Sequence, residues 1–230
     1  MKKLDLYTFI YNDEALLPFF LNYYSFVDRM TFIDSGSSDK SMDIIKTFAT
    51  PTAPTVRICQ TGLTWWDHEV LHEYRNNIWQ DSKYDYVLFP DCDEVFYHSL
   101  GLRDFLEESE SDVFAMEGYE MVGEFPLPGT KITSIRKGVP FYPYNKSTLF
   151  NPKCDIYFPN AHLRYTKTTN ISLGQVKLLH YRNLGFEYMK FRIQRERDRL
   201  PKDCKYRSFH SDKELRERFK NLSDNARDVI

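Results

Sequence analysis

The chain has 230 residues and a formal net charge of −2 at pH 7, with 42% hydrophobic and 16% aromatic residues. The near-neutral charge excludes a bulk electrostatic case for nucleic acid, and no apolar run approaches the length of a membrane span. The length and the apolar content suit one domain with a sizeable core.

Leu4–Ile10 alternates, is rich in β-formers and reads as a first strand. Nothing resembling a signal peptide precedes it. Asn12-Asp13-Glu14 offers a capping residue and acids ahead of the apolar run Ala15–Phe26, which predicts a helix. Met30–Ile33 is a second strand, Asp34–Asp39 a loop, and Ser41–Phe48 a second helix. Thr50–Thr55 is a loop and Val56–Cys59 a third strand. Asp67–Gln80 has helical spacing, with Val70, Leu71, Tyr74 and Ile78 on one face. Tyr86–Phe89 is a fourth strand that stops at Pro90. Leu100–Ser109 reads as a helix and Asp112–Gly118 as a fifth strand. Residues 120–180 carry many Pro, Gly, Thr and Tyr and read as short strands and long loops. Gly185–Leu200 and Asp212–Leu222 are helical again.

The alternation of strands and helices predicts an α/β fold: a Rossmann-like, mostly parallel sheet flanked by helices, then an irregular C-terminal half. One domain over 1–230 is expected, with 1–118 binding a nucleotide and 119–230 completing the acceptor side. Cys59, Cys92, Cys154 and Cys204 show no paired spacing and read as reduced thiols of a cytoplasmic protein. Without a secretory signal, the Asn-x-Ser sequons at Asn145, Asn170 and Asn221 read as chance matches.

Three polar clusters fall at predicted strand ends: Asn12-Asp13-Glu14, Asp34–Asp39, and Asp91-Cys92-Asp93-Glu94. In a parallel sheet the carboxyl ends of the strands lie on one edge, so the three converge on one crevice. Carboxylates as crowded as Asp91, Asp93 and Glu94 repel one another unless a cation sits among them. A solvated turn is the plain reading of such a cluster. The sharper one is a site for a hard divalent ion that also holds substrate phosphates.

Tyr11-Asn12-Asp13-Glu14, Phe32–Asp39, Tyr74-Arg75-Asn76-Asn77, Asp91-Cys92-Asp93 and, more loosely, Lys177-Leu178-Leu179-His180-Tyr181 resemble the ordered motifs of family-2-type glycosyltransferases with the GT-A fold, of the bacterial glycan-synthesis type. The resemblance covers about the first 120 residues well. It implies a metal-dependent transfer of a sugar in which Asp34 reads the nucleobase, expected to be uracil. Asn12 and Glu14 lie near the nucleoside, and Arg75 lies beside the base or phosphates. Asp91 contacts ribose or metal-bound water, and Asp93 ligates Mn²⁺ or Mg²⁺ as part of a DXD motif. His180 is a second metal ligand or a phosphate contact, against the plain alternative of a packed histidine. The late acidic motif that often supplies the catalytic base has no counterpart between 120 and 180. Asp155, His162, Glu117 and Glu120 are the candidates, with Asp155 or His162 preferred from position.

Two other readings stand beside this one. His68-Glu69-Val70-Leu71-His72 matches His-Glu-x-x-His on a predicted helix, as in zinc metalloproteases, with Glu94 at a spacing that suits a third ligand. A non-catalytic carbohydrate-binding domain is the other. Trp65, Trp66, Tyr119, Tyr142 and Tyr144 can stack on sugar rings, although core packing is the commoner use. Thr64-Trp65-Trp66-Asp67 looks like a loop closing over a nucleotide. Arg192, Arg195, Arg197 and Arg199 make 185–200 a basic amphipathic helix, read first as a solvated face and second as a peripheral contact with anionic lipid at the inner face of the membrane. The expected partners are a nucleotide-sugar donor, UDP-linked in the first instance, and a glycan or lipid-linked glycan acceptor in polysaccharide biosynthesis. No nucleic acid is expected.

Overall fold

A computed structural model describes residues 1–63, 67–160, 162–200 and 211–230. The N-terminal half runs β1 (Leu4–Ile10), α1 (Leu17–Tyr23), β2 (Arg29–Asp34), α2 (Ser41–Phe48), β3 (Thr55–Gln60), α3 (His68–Asn77), β4 (Tyr86–Leu88), β5 (Glu94–Tyr97) and α4 (Leu102–Glu108). It continues through the long strand β6 (Val113–Gly123), then β7 (Lys137–Pro140), β8 (Leu149–Phe150) and the separate hairpin of β9 (Ile156–Tyr157) with β10 (Tyr165–Thr166). The last elements are β11 (Ile171–Leu184), α5 (Phe186–Arg199), α6 (Asp212–Asn225) and β12 (Arg227–Asp228).

One ten-stranded sheet carries the molecule, in the order β12-β7-β6-β8-β4-β1-β2-β3, with β11 beside β6 and β5 beside β11. Strands β4, β1, β2 and β3 are mutually parallel. All residues of β1 except Phe9 are buried, as expected where helices cover both faces of parallel strands. The parallel register sets Ile10 opposite Asp34, so the chain leaves β1 and β2 side by side at one edge.

Three elements differ from the sequence reading. The first helix begins at Leu17, where Pro18 occupies an opening position, and no side chain caps it. Asn12, Asp13 and Glu14 bond to the loop after β2 instead. Second, the stretch read as loops contains β11, fourteen residues long. Its first half is partly exposed and its register on β6 shifts between Leu173 and Lys177, which breaks the alternation that marks a strand. Third, β6 runs five residues past Gly118.

β11 is antiparallel to β5 and parallel to β6, with His180 opposite both Glu94 and Glu120. Register partners on adjacent strands project to the same face of a sheet, so Glu94, His180 and Glu120 form one lateral row. Among the described residues, Cys59, Cys92 and Cys154 are free thiols, and no helix is long and apolar enough to cross a membrane.

Candidate active site

The three strand-end clusters converge as the topology requires. Asn12 has a positive φ of 52°, a conformation that Asn tolerates better than most residues. Its side-chain oxygen accepts from the backbone N–H groups of Ser38 (2.7 Å) and Asp39 (3.2 Å). Glu14 accepts from Lys40 N (2.9 Å), and Asp39 accepts from Glu14 N (3.0 Å). Asn12 and Glu14 therefore brace the loop after β2. Within that loop Asp34 is buried and accepts from Ser37 N at 3.0 Å. Gly36 has φ +88°, and a Cβ there would meet the Leu63 carbonyl oxygen at 2.6 Å. A larger residue would displace the backbone of the loop that holds Asp34.

After β4 the chain turns tightly. Glu94 N donates to the Asp91 carbonyl (2.9 Å), and Asp91 N donates to the Glu94 carboxylate (3.0 Å). Lys146 is 2% exposed, and its ammonium donates to Asp91 (2.9 Å) and to the fully buried Glu94 carboxylate. Arg75 on α3 donates to the other Asp91 oxygen at 3.2 Å. Its guanidinium packs 4.8 Å from the centre of the Phe89 ring and 5.3 Å from that of Phe9, a cation–π setting. Burial would raise the Asp91 pKa, but Lys146 and Arg75 hold its carboxyl well below the usual carboxylate range. Burial pushes the Glu94 carboxyl up against the pull of Lys146.

Asp93 points the other way. Its Oδ2 lies 3.2 Å from His180 Nε2 and 3.1 Å from Arg192 Nη2. Burial opposes ionisation there too, yet His180 and Arg192 hold the Asp93 carboxyl well below its ordinary value. The His180 ring packs edge-on against Tyr144, 4.1 Å between centres. The Tyr144 hydroxyl accepts from Arg182 at 3.1 Å. Gly118 is what lets Tyr144 sit so close: a Cβ at Gly118 would meet Tyr144 main-chain carbon at 2.4 Å.

A divalent cation was expected at Asp93 and His180. Among the described residues, no three His, Cys, Asp or Glu side chains converge into a complete metal cage. Mg²⁺ and similar ions that travel with nucleotides take one or two carboxylates and fill their other positions with phosphate oxygens and water. Asp93 Oδ2 is buried without an aligned hydrogen bond, and His180 Nε2, the ring nitrogen that faces it, lies 3.2 Å away. These groups fit such a partial donor set.

The structure separates the other candidates. His162 is exposed, 5.9 Å ring to ring from Tyr144, and within the electrostatic reach of Lys146, Asp91 and Arg75. Loss of solvent around its ring and the Lys146 charge lower its pKa, so it is neutral at pH 7. Asp155 lies apart on the β9–β10 side, exposed and ion-paired with Lys167 at 2.6 Å. Glu120 is buried, with Arg218 at 3.7 Å. Tyr142 is 83% exposed, and the Tyr119 hydroxyl donates to Glu117. Thr64, Trp65 and Trp66 lie outside the described residues. The zinc reading loses its third ligand: His68 and His72 sit on α3, but Glu94 is engaged by Lys146 and by Asp91 N.

Lys146 and the arginines of α5 are the residues sequence reasoning missed. Lys146 was seen only as the middle of a sequon. Arg192, Arg195 and Arg199 were read as a solvated or lipid-facing surface, and the structure corrects this. Side-chain exposure is 12% at Arg192 and 15% at Arg195, and Arg199 is buried. All three face the crevice. Their spacing of i, i+3 and i+7 puts them on one helix face, which was the available signal.

No protein-family model matches the sequence, and no curated protein matches it. Solved structures do. The crystal structure of S. aureus TarS 1-349 superposes with a TM-score of 0.52 at 18% identity, over 84% of this chain and 65% of that one. TarS 1-349 in complex with UDP gives a TM-score of 0.51 at 17% identity, over 86% of this chain and 65% of that one. The chain thus spans about two thirds of the length of these structures. With its parallel strands β4, β1, β2 and β3 flanked by helices within a mixed sheet, the molecule has the GT-A glycosyltransferase fold.

Proposed function

We propose that the protein transfers a sugar from a nucleotide-diphosphate donor, a UDP-sugar in the first instance, to a hydroxyl of a glycan acceptor, with inversion. The observation that carries this reading is the convergence of Asp34, Asp91, Asp93 and His180 on one strand-end crevice. The UDP complex of the similar TarS fold supports the choice of nucleotide.

In this reading Asp34, fixed by Ser37 N, accepts from the base. Lys146 and Arg75 keep Asp91 ionised and oriented. Asp93 and His180 would hold Mn²⁺ or Mg²⁺, which when bound offsets the charge that builds on the leaving diphosphate. A base must take the acceptor proton on the far side of the sugar from the diphosphate. Of the two preferred from the sequence, His162 stands beside the crevice and is unprotonated at pH 7, whereas Asp155 is paired with Lys167. His162→Ala should lower kcat about 10²-fold or more with unchanged UDP affinity. Asp155→Ala should leave kcat within about threefold of wild type, as a surface ion pair contributes little. Steady-state kinetics on both variants checks this, and the opposite ranking would move the base to Asp155.

A thermal-shift series with UDP, GDP and dTDP, each with Mn²⁺ and with a chelator, tests the reading as a whole. Stabilisation by UDP that grows with Mn²⁺ is expected. Glycan binding with no nucleotide response would point to the carbohydrate-binding alternative.

A further inference from the structure

Beyond the buried Tyr188 and Met189, the inner face of α5 is lined by arginines with little exposure: Arg192, Arg195 and Arg199. Each reaches a different part of the crevice. Arg192 pairs with Asp93 at one end. One turn on, Arg195 donates to the Asn12 carbonyl at 2.8 Å and to the Asp13 carboxylate. Another turn on, the Arg199 guanidinium lies 4.2 Å from the centre of the Tyr11 ring and within the field of Asp13 and Asp34. Seven residues of helix separate the first from the last, about 10 Å of axis. The row therefore runs from the phosphate end of the crevice to the base end, the direction in which a nucleoside diphosphate would lie.

Two further facts point to an anionic ligand. Donor atoms remain unused at the site: Arg192 Nε on α5 and Arg75 Nη1 on α3 have no hydrogen-bond partner among the described residues. Arg75 is 6% exposed, so that donor has little access to water. Arg192 also has a second carboxylate waiting, Glu196 at 2.9 Å, so it can release Asp93 without being left unpaired.

We propose that Arg192, Arg195 and Arg199 form a guanidinium wall along the donor, in which Arg192 and Arg195 bind the diphosphate directly, exchanging carboxylate partners for phosphate oxygens as the nucleotide enters, and Arg199 lies at the base end. This rests on the nucleotide-diphosphate reading above and adds a phosphate site on the chain itself, beside any metal. Planar guanidinium groups suit phosphate oxygens because they donate in pairs.

Titration calorimetry with UDP, uridine and inorganic pyrophosphate, each with Mn²⁺ and with a chelator, tests it on wild type and on Arg192→Gln, Arg195→Gln and Arg199→Gln. Wild type should bind UDP more tightly than uridine in both conditions. Arg192→Gln and Arg195→Gln should each weaken UDP and pyrophosphate about 10- to 100-fold and leave uridine unchanged, whereas Arg199→Gln should weaken UDP and uridine alike and leave pyrophosphate unchanged. The loss should persist in chelator. Arg→Lys variants at the same positions keep the charge and guard against misfolding; they should recover part of the affinity. If the Arg192 and Arg195 variants lower UDP and uridine affinity equally, or lower neither, the wall is structural and the proposal is wrong. Arginine-dependent binding of pyrophosphate with no binding of any nucleoside diphosphate would keep the wall and overturn the donor reading.

Discussion

Lys146→Met will destabilise the protein by about 3–5 kcal/mol, the range for removing one partner from a buried ion pair. A single ammonium, 2% exposed, serves both Asp91 and the fully buried Glu94. Met fills the space but leaves two carboxylates facing each other, with Arg75 alone to offset them. Such a loss is a large part of the 5–15 kcal/mol that typically holds a domain folded. Urea denaturation measures it, and adding Glu94→Gln should restore part of the stability by removing the orphaned charge. The effect has a pH signature. The Asp91 carboxyl is held well below its ordinary value, so its pairing contributes fully above the unfolded carboxylate range near pH 4 and fades as pH falls towards the folded value. The difference between wild type and Lys146→Met should therefore shrink in acid. A destabilisation below about 1 kcal/mol at pH 7 would show that the two acids do not depend on Lys146.

Asp93→Ala will abolish sugar transfer, with a loss in kcat of about 10³-fold or more, while the fold survives. Removing a group that stabilises developing charge typically costs about 10²–10³-fold, and here the same change removes both the expected metal ligand and the partner of His180. The fold should tolerate it because Arg192 retains Glu196 at 2.9 Å. Donor turnover measured across a Mn²⁺ titration is the test. Wild type should respond to the metal and the variant should not. Undiminished turnover in Asp93→Ala would remove Asp93 from the chemistry.

Much of this site is legible in the sequence because the N-terminal half follows simple rules. A buried parallel strand is a short apolar run, and its carboxyl end is where polar ligands belong. β2 and β4 obey this, so the strand-end placement of Asp34 and of the Asp91–Glu94 turn is legible from pattern alone. The acids of residues 12–14 were misread because a helix cap and a loop brace use the same residue types. Only the neighbouring loop, Ser37 to Ser41, decides between them. β11 was missed because its exposed first half and its register shift erase the period of two. The α5 arginines show a more general limit. Three arginines on one face look the same whether that face meets water, lipid or a crevice, and tertiary placement settles which. Lys146 carried no local signal: it becomes a buried cation only because β8 follows it into the sheet beside β4.

In the proposed function a nucleoside diphosphate lies along the strand-end crevice, its base at Asp34 and its phosphates between Asp93 and α5. A crystal structure of the protein with UDP and Mn²⁺ tests this directly. The base is expected within hydrogen-bonding distance of Asp34, and the diphosphate against Asp93, His180 and at least one of Arg192 and Arg195. UDP bound elsewhere, or bound here with its phosphates pointing away from Asp93 and α5, would contradict it.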